Sequence, residues 1–467
     1  MAVSQALKRV EADLAKLLPD ESILAACRAA GHTWRERQLG PVQTLHLFIL
    51  QVMACNTAMN HLRLLAGEVF SAAAYCKARV RLPLAAMQTL LRDSSVALRK
   101  AAAAAAGKAS DGTDASLWHG LRAFLVDGSS TITPDTPGLQ KAFGQPTNQK
   151  PGCGFPVPKL LALFDAFTGM VVEMLGFPLY THEQSKVWML HPLLTIGDLL
   201  VGLRRAQSSR DRGFCSFVHL AMLHARGVHG CFRCHQRQTV DFRPHRKNRD
   251  NSPKNDRTGR PTSEFVRRLG KHDQVVRWKR PPARPAWMTA EQWEAMPEWL
   301  EVRELRYTLT NRGQRTRGVT IATTLLDPAL YPKDAIAELY DVRWRVETRF
   351  AELKTTLKMR RLKSKTEEGV RKELAAYCLV HNMVRAVTAA AGLRQGVAPE
   401  RISFIDALRW LLWTAPGEPI PTLVVNPLRK GRHEPRVIKD LQDTYRKMTR
   451  PRAELRKGLK KQGNTVK

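Results

Sequence analysis

Residues 339–359 read LYDVRWRVETRFAELKTTLKM, and this stretch decides the interpretation of the chain. Its apolar side chains recur every three or four positions, which predicts a long amphipathic helix over Asp334–Lys358. At about 100° per residue, four polar residues share one narrow face of that helix, namely Tyr340, Arg343, Glu347 and Lys354. The core stripe beside them consists of Leu339, Val346, Phe350, Leu353 and Leu357.

One carboxylate flanked by a guanidinium, an ammonium and a phenol suits a phosphodiester substrate. The carboxylate can bind a divalent metal ion, and the cations can hold the adjacent phosphates. A face of i,i+4 salt bridges explains the same spacing equally well from geometry alone.

The four polar residues have the spacing Y-x2-R-x3-E-x6-K, which resembles the Y-R-E-K signature of bacterial insertion-sequence transposases of the DDE type. Two further motifs resemble the same family. The segment LVDGSS corresponds to the one that bears the first catalytic Asp, here Asp127, and DRGFCSF to the one that bears the second, here Asp211. The long gap between Asp211 and Glu347 matches the subgroup with a β-rich insertion before the Glu. The resemblance extends from about residue 20 to residue 415.

The resemblance implies an α/β fold: an RNase H-like mixed sheet with a β-rich insertion, a helical N-terminal domain and a helical C-terminal region. It assigns catalysis and metal ligation to Asp127, Asp211 and Glu347. It assigns contacts with DNA phosphates near the transposon end to Tyr340, Arg343 and Lys354. The implied cofactor is Mg²⁺, with Mn²⁺ able to substitute. The implied partners are the terminal inverted repeats, target DNA and a second copy of the chain in a homodimeric synaptic complex.

The order of predicted elements agrees with this fold. A strand at Leu121–Val126 runs into a turn at Asp127–Ser130, a hairpin follows at 159–177, and a short buried strand lies at Asp198–Gly202. Five regions are therefore predicted: 1–119, the N-terminal DNA-end-binding domain; 120–228, the first part of the catalytic core; 229–330, the basic β-rich insertion; 331–365, the Glu-bearing helix; and 366–467, the C-terminal region with a basic tail.

The chain departs from the family pattern before Asp211. In the family the second Asp follows directly on an apolar strand, whereas Leu203–Arg210 stands between Gly202 and Asp211 here. Three interpretations compete. The insert loops out and Asp211 returns to the strand end, which we favour; the enzyme is impaired; or another carboxylate replaces Asp211. Asp198 is a poor substitute, because it lies at the opposite end of the strand, roughly 13 Å away.

The composition independently points to nucleic acid. The 467 residues include 75 Lys and Arg against 42 Asp and Glu, a formal net charge of +33, which predicts attraction to polyanions. The most apolar run, Leu45–Cys55, is too short to span a membrane, and the N-terminus has no signal-peptide core. We therefore expect a cytoplasmic, nucleoid-associated bacterial protein that makes no membrane contact.

Other motifs have weaker functional interpretations. Cys231-x-x-Cys234-His235 matches the haem-attachment pattern and could also suggest zinc, but two half-exposed or buried thiols in a strand explain it better. Ser129 and Ser130 are expected to shape the turn after Asp127. Four tryptophans of the insertion could stack on a flipped base, although packing is the better interpretation of each: Trp278, Trp287, Trp293 and Trp299.

These observations predict a transposase that cuts DNA at transposon ends and joins the 3′-hydroxyls to target DNA in cut-and-paste transposition. Two alternatives remain at this point: a catalytically impaired, transposase-derived DNA-binding protein, and a DNA nuclease without strand transfer.

Overall fold

The computed structural model describes residues 18–108, 112, 114–202, 214–234, 238–243, 263–309, 317–415, 417–427, 450–451, 454–455 and 457. Within these ranges, five helices come first: α1 Asp20–Ala29, α2 Pro41–Met53, α3 Met59–Ala66, α4 Ala72–Arg81 and α5 Leu84–Ala106. Local signals fix their limits. The Ser71 hydroxyl accepts a hydrogen bond from the Ala74 N–H at 3.0 Å where α4 begins, and α5 ends at Gly107, whose φ is +65°. The predicted helical character of this region is confirmed.

Nine strands follow: β1 Arg122–Ser130, β2 Lys159–Asp165, β3 Val171–Phe177, β4 Asp198–Gly202, β5 His229–Arg233, β6 Glu264–Gly270, β7 Asp273–Lys279, β8 Trp299–Leu309 and β9 Arg317–Thr323. They form one sheet in the order β3-β2-β1-β4-β5-β9-β8-β7-β6. β1, β4 and β5 run parallel, and β2 and β3 run antiparallel to their neighbours. The first five strands have the order and directions of an RNase H-like sheet, so the predicted fold class is confirmed.

The hairpin of β2 and β3 and the strand β4 lie where the sequence predicts them. The strand β1 is longer than expected. It continues through Ser129 and Ser130, which pair with Leu160 and Lys159 of β2, so the predicted turn at Asp127–Ser130 is wrong. The partner strand explains the difference, because β2 supplies ladder partners as far as Ser130.

The remaining helices pack on the two faces of the sheet. They are α6 Pro137–Phe143, α7 Gln184–Val187, α8 Phe217–His224, α9 Ala290–Glu294, α10 Lys333–Asp341, α11 Arg343–Ala351, α12 Glu367–Gln395 and α13 Phe404–Trp413. The helix predicted over 183–194 is α7 followed by a 3₁₀ turn, Trp188–Leu193. One hydrophobic core joins the N-terminal helices, α10 to α13 and one face of the sheet; a second lies on the other face under α8.

The basic β-rich insertion continues the catalytic sheet. β9 pairs antiparallel with β5, and β8, β7 and β6 follow outward. Its interior holds a buried ion pair, in which the Arg303 guanidinium donates to the Asp273 carboxylate at 2.8 and 2.6 Å and to the Tyr331 carbonyl at 2.7 Å. β5 is the fifth strand of the core sheet, although the predicted insertion begins at residue 229.

Among the described residues, α12 is long and apolar enough to cross a membrane, although the sequence predicts that no stretch of the chain is. However, 83% of its most apolar window is buried inside the protein. The helix packs against α5, β3 and α2, as the core helix of a folded domain does.

Candidate active site

Asp127 lies on β1, and its side chain projects from the same face of the sheet as that of Leu125, because alternate residues of a strand share a face. Only 8% of the residue is exposed, and its Oδ1 accepts a hydrogen bond from the Gly128 N–H at 2.8 Å. Pairing of β1 with β4 ends one position earlier, at Val126 and Gly202. Asp127 therefore projects at the edge where the parallel strands end.

Glu347 lies on α11, which packs directly on β1. Phe350 of this helix belongs to the same buried cluster as Leu125, and its ring meets that of Phe164 on β2 edge to face at 5.5 Å. The helix thus covers the face from which Asp127 projects, and Glu347 itself is half-buried. Two of the three predicted carboxylates are on elements that meet at one face of the sheet.

The helix that carries Glu347 is interrupted twice. Val342 separates α10 from α11, and after Ala351 the chain continues as a π-turn, Glu352–Thr356, closed by a 2.9 Å hydrogen bond from the Leu357 N–H to the Glu352 carbonyl. An extra residue in a turn rotates the side chains that follow by about 100°. The expectation of one regular helix is therefore wrong, and the position of Lys354 around the axis changes with it.

The three residues predicted to contact phosphates differ in exposure. Tyr340 is 1% exposed and belongs to the hydrophobic core, so a DNA contact would require its ring to leave that core. Lys354 is half-buried within the π-turn. Arg343 begins α11, and its side chain lies outside what the structure describes.

Asp211 and the insert Leu203–Arg210 lie outside the described residues. Gly202 and Phe214, which flank this gap, are neighbours: a Cβ placed on Gly202 would lie 3.0 Å from the Phe214 Cβ. Asp198 accepts hydrogen bonds from Arg122 at 2.8 and 2.7 Å at the start of β4. Its carboxylate is therefore engaged at the other end of the strand.

The donors at this edge suit a hard divalent cation, since such ions prefer carboxylate oxygens. Asp127 and Glu347 are the two donors that the structure describes. Within the described ranges no group of three or more His, Cys, Asp or Glu residues could hold a metal ion, and the third predicted ligand, Asp211, lies outside them.

The comparison with known proteins gives the family. Residues 118–383, more than half of the chain, match the model of the transposase DDE domain. The chain belongs to this transposase family. It is 26% identical over 379 residues to the transposase InsG for insertion sequence element IS4 of Escherichia coli K12, covering 77% of this chain and 76% of that protein.

Two further proteins are similar over a shorter length or at lower identity. A putative transposase of the same bacterium, InsZ, is 34% identical over 83 residues, which cover 17% of this chain and 27% of InsZ. The cryo-EM structure of the piggyBac transposase synaptic complex with hairpin DNA has a TM-score of 0.38 at 12% identity, over 88% of this chain and 79% of that one. The family match confirms the predicted identity: the chain is a DNA transposase of a family that uses a divalent metal ion to cleave and transfer DNA strands.

Glu183 of the transposase is a carboxylate near the site that sequence reasoning missed. A Cβ placed on Gly128 would run into the Glu183 carboxylate, so this residue lies directly against β1. Asp127 and Gly128 face opposite sides of the sheet, and β1 therefore has a carboxylate on each side at this edge. No motif or spacing marks the contact, because it joins a strand to a loop far along the chain.

The end of β1 is tied to the segment that follows the π-turn. The Thr131 hydroxyl donates to the carbonyls of Met359 and Arg360, at 2.7 and 3.0 Å. The Ile132 N–H donates to the Arg360 carbonyl at 3.1 Å, and the Leu362 N–H donates to the Ile132 carbonyl at 2.9 Å. These bonds connect the strand of Asp127 to the far end of the helical segment of Glu347.

A buried charge cluster holds the π-turn against α12. Glu352 accepts hydrogen bonds from Arg349 at 3.0 Å and from His381 Nε2 at 2.8 Å, and the Arg385 guanidinium lies 3.9 Å away. Burial would raise the pKa of Glu352, but these three cationic or donor groups outweigh it and lower the pKa to about 2. Burial lowers the pKa of His381, which therefore donates as a neutral ring at pH 7. The turn that follows Glu347 is thus held by a buried ionic and hydrogen-bonded cluster, to which α12 contributes His381 and Arg385.

The cysteine motif does not form a metal site among the described residues. Cys231 lies in the core on one face of the sheet and Cys234 in the core on the other, as expected for positions i and i+3 of an extended chain. Burial raises the pKa of the Cys231 thiol to about 12, which keeps it protonated. His235, the third residue of the motif, lies outside the described residues.

Each of the four tryptophans has a packing partner. Trp278 donates to the Glu304 carboxylate at 3.0 Å, and Trp287 stacks on Trp188 with ring centroids 6.1 Å apart. Cationic side chains lie over the other two rings: Arg280 over Trp293 and Lys279 over Trp299. These contacts agree with the packing interpretation.

Proposed function

We propose that this transposase cleaves DNA at the ends of its element and joins the 3′-hydroxyls to target DNA with Asp127, Asp211 and Glu347 as its catalytic residues. One observation carries the proposal: α11, which bears Glu347, packs on the face of β1 from which Asp127 projects, at the edge where the parallel strands end. Asp127 and Glu347 come from separate elements, and the packing of α11 on β1 brings both to the same edge of the sheet.

The same three carboxylates would hold the divalent ions, which we propose to be Mg²⁺, with Mn²⁺ able to substitute. When bound, two such ions supply activation of the attacking oxygen and stabilisation of the leaving oxygen in phosphoryl transfer. The chain itself contributes the placement of the oxygens. The Gly128 N–H holds one oxygen of Asp127, and the packing of Phe350 fixes the helix of Glu347.

The position of Phe214 supports Asp211 as the third ligand. Gly202 and Phe214, the described residues on either side of segment 203–213, are neighbours at the end of β4. Asp211 is three residues before Phe214, and three residues span at most about 10 Å. Asp211 can therefore reach the edge beside Asp127 whatever the length of the insert, which favours an active enzyme over an impaired one.

We propose Arg343 and Lys354 as the contacts to DNA phosphates near the cleaved end, and we assign Tyr340 to packing in the hydrophobic core, since its ring is buried. The helical N-terminal region would bind the terminal inverted repeats, and two copies of the chain would pair the two ends. The predicted regions are retained in this scheme, with the insertion beginning after β5.

The test compares Glu347→Gln with Glu338→Gln, an exposed carboxylate on the preceding helix. We expect Glu347→Gln to abolish Mg²⁺-dependent cleavage of a DNA duplex carrying the inverted repeat while the gel-shift affinity for that duplex is unchanged. Glu338→Gln should cleave as the wild type does. Full cleavage by Glu347→Gln would remove the carboxylate from the mechanism.

The insert is tested by excision of a marker flanked by the repeats. We expect the wild type to excise the marker and Asp211→Ala to fail. If only a variant without Leu203–Arg210 excises, the natural chain is a disabled transposase that still binds DNA. If cleaved ends never join target DNA, the protein is a nuclease without strand transfer.

A further inference from the structure

A pocket of about 510 Å³ lies in the N-terminal helical region, away from the catalytic sheet. Its walls are the loop before α2, the start of α2 and the end of α4. The side chains that matter for its chemistry are His32, Trp34, Arg35, Arg37 and Arg81. No residue that lines it belongs to the sheet or to α11, so the pocket is separate from the candidate active site.

The pocket is positively charged. Arg35, Arg37 and Arg81 line it, all three are exposed, and none of its lining residues is acidic. Within the part of the chain that the structure describes, none of the three guanidiniums has a carboxylate partner. Glu36, which stands between Arg35 and Arg37 in the sequence, does not line the pocket, and Glu68 accepts a hydrogen bond from Gln38 at 3.1 Å. Three arginines without counter-charges leave the pocket able to bind an anion.

One wall is aromatic. Trp34 is half-buried and packs against the hydrophobic core, and the His32 ring stacks on it with centroids 5.6 Å apart. Burial lowers the pKa of His32, and the positive charges of Arg81 and Lys372 lower it further. The His32 ring of this wall is therefore uncharged at pH 7, and the Arg28 guanidinium lies over the Trp34 ring, 5.4 Å from its centroid.

We propose that this pocket binds one nucleotide of a DNA strand, with the phosphodiester held by Arg35, Arg37 and Arg81 and the sugar or base placed along the His32–Trp34 wall. Guanidinium groups bind phosphate through paired hydrogen bonds, and aromatic rings accept sugars and bases by stacking. The volume is within the roughly 300–1,000 Å³ of small-molecule sites and exceeds what a lone anion needs. This inference rests on the proposed function, because it takes the DNA substrate from it.

The experiment uses the full chain and fluorescence anisotropy with two labelled duplexes of equal length, one carrying the terminal inverted repeat and one of unrelated sequence. Arg35→Gln, Arg37→Gln and Arg81→Gln are measured singly and together over a series of salt concentrations. Arg63→Gln is the matched control, an exposed arginine on α3 outside the pocket. Trp34→Leu removes the ring and keeps an apolar side chain in the core.

We expect each pocket arginine variant to weaken binding severalfold and to reduce the slope of log affinity against log salt by about 0.9. The triple variant should lose affinity at least about 100-fold at 0.15 M salt, whereas Arg63→Gln should change it less than twofold. Trp34→Leu should weaken binding by about 5-fold to 100-fold with a small change in slope, because stacking carries no charge.

Cleavage at saturating DNA separates this inference from the proposed function. Arg63→Gln should then cleave at the wild-type rate, and the cleavage defect of the pocket variants should shrink as the DNA concentration is raised, because the catalytic carboxylates are intact. If wild-type cleavage fails but the pocket arginines still govern DNA affinity, the pocket stands and the catalytic proposal falls. If the triple variant binds both duplexes as tightly as Arg63→Gln does, the pocket does not bind DNA and the inference is overturned. Because Arg35, Arg37 and Arg81 are exposed, their variants test the inference even if Trp34→Leu does not fold.

Discussion

Replacement of Glu352 by Gln tests whether the buried charge cluster holds the π-turn that follows Glu347. The change preserves shape and removes one negative charge. It removes the carboxylate that Arg349 and Arg385, both almost fully buried, share, and leaves them with Glu400, whose carboxylate lies 3.9 Å from Arg349. Loss of one partner from a buried ionic cluster is costly because the remaining charge is desolvated and uncompensated.

The pKa of Glu352 sets the magnitude. It falls from the ordinary value of 4.5 to about 2 in the folded protein. At about 1.36 kcal/mol for each pKa unit, the charged form of Glu352 contributes about 3 kcal/mol to stability at neutral pH. A depressed carboxyl pKa gives stability that is fully present above pH 4.5 and is lost as the pH falls toward 2. The variant lacks this contribution at every pH.

Hydrogen exchange measured by mass spectrometry at pH 7 is the appropriate assay, because it reports local opening in a chain with several cooperative units. We expect amides in 352–357 and 381–385 to exchange about 100-fold faster in Glu352→Gln, since 1.4 kcal/mol corresponds to a factor of ten. The control is Glu367→Gln, whose carboxylate is half-exposed and pairs with Arg371 on the surface. Its effect should stay below about 1 kcal/mol.

The same cluster predicts a pH signature. The difference in melting temperature between wild type and Glu352→Gln should be constant above pH 5 and should narrow as the pH falls from 4.5 toward 2, because the wild type loses its extra stability there. An exchange rate within threefold of the wild type in both segments, or a difference in melting temperature that does not change with pH, would refute the reasoning.

Two further changes test the setting of Asp127. Gly128→Ala places a methyl group against the Glu183 carboxylate, which must move away from β1. We expect cleavage of the inverted-repeat duplex to fall severalfold with unchanged gel-shift affinity. Gly138→Ala, which meets no atom within 4 Å, should cleave normally, and equal rates in the two variants would show that the contact is irrelevant. Thr131→Val removes the hydrogen bonds that the Thr131 hydroxyl donates to the carbonyls of Met359 and Arg360, so we expect the free energy of unfolding, measured by a thermal melt, to fall by about 1–2 kcal/mol. Thr308→Val, the control at an exposed position of β8, should leave the free energy of unfolding unchanged. If Thr131→Val loses no more stability than this control, the hydroxyl is dispensable.

The core of the sheet could be predicted because its signals are local. The hairpin of β2 and β3 and the strand β4 are short apolar runs bounded by turns, and the structure places them within a residue of the predicted limits. The core stripe of the Glu-bearing helix was also predictable, and Leu339, Val346 and Phe350 are all buried. In these elements the pattern of burial repeats every two or every three to four residues, which the sequence records directly.

The irregular course of the Glu-bearing helix could not be predicted, because its cause is distant in sequence. No proline or glycine lies between residues 334 and 358, so the local sequence does not predict an interruption of the helix. The π-turn instead faces His381 and Arg385, which α12 presents to Glu352. A helical wheel assumes 3.6 residues per turn throughout, so it places Lys354 on the same face as Glu347. It contains no information about His381 and Arg385, which contact Glu352 in the π-turn.

The extension of the catalytic sheet has a mechanical consequence for the basic insertion. Sequence reasoning could identify the insertion as β-rich but not that β9 would pair with β5, since that pairing joins Phe232 to Ala322 across the whole insertion. Ladder hydrogen bonds therefore run from β1, as far as Val126 beside Asp127, through β4 and β5 into the insertion. A strand ladder resists bending far better than a linker does, so the basic strands are held at a fixed distance from the carboxylates. The insertion is thus built as a rigid extension of the catalytic sheet.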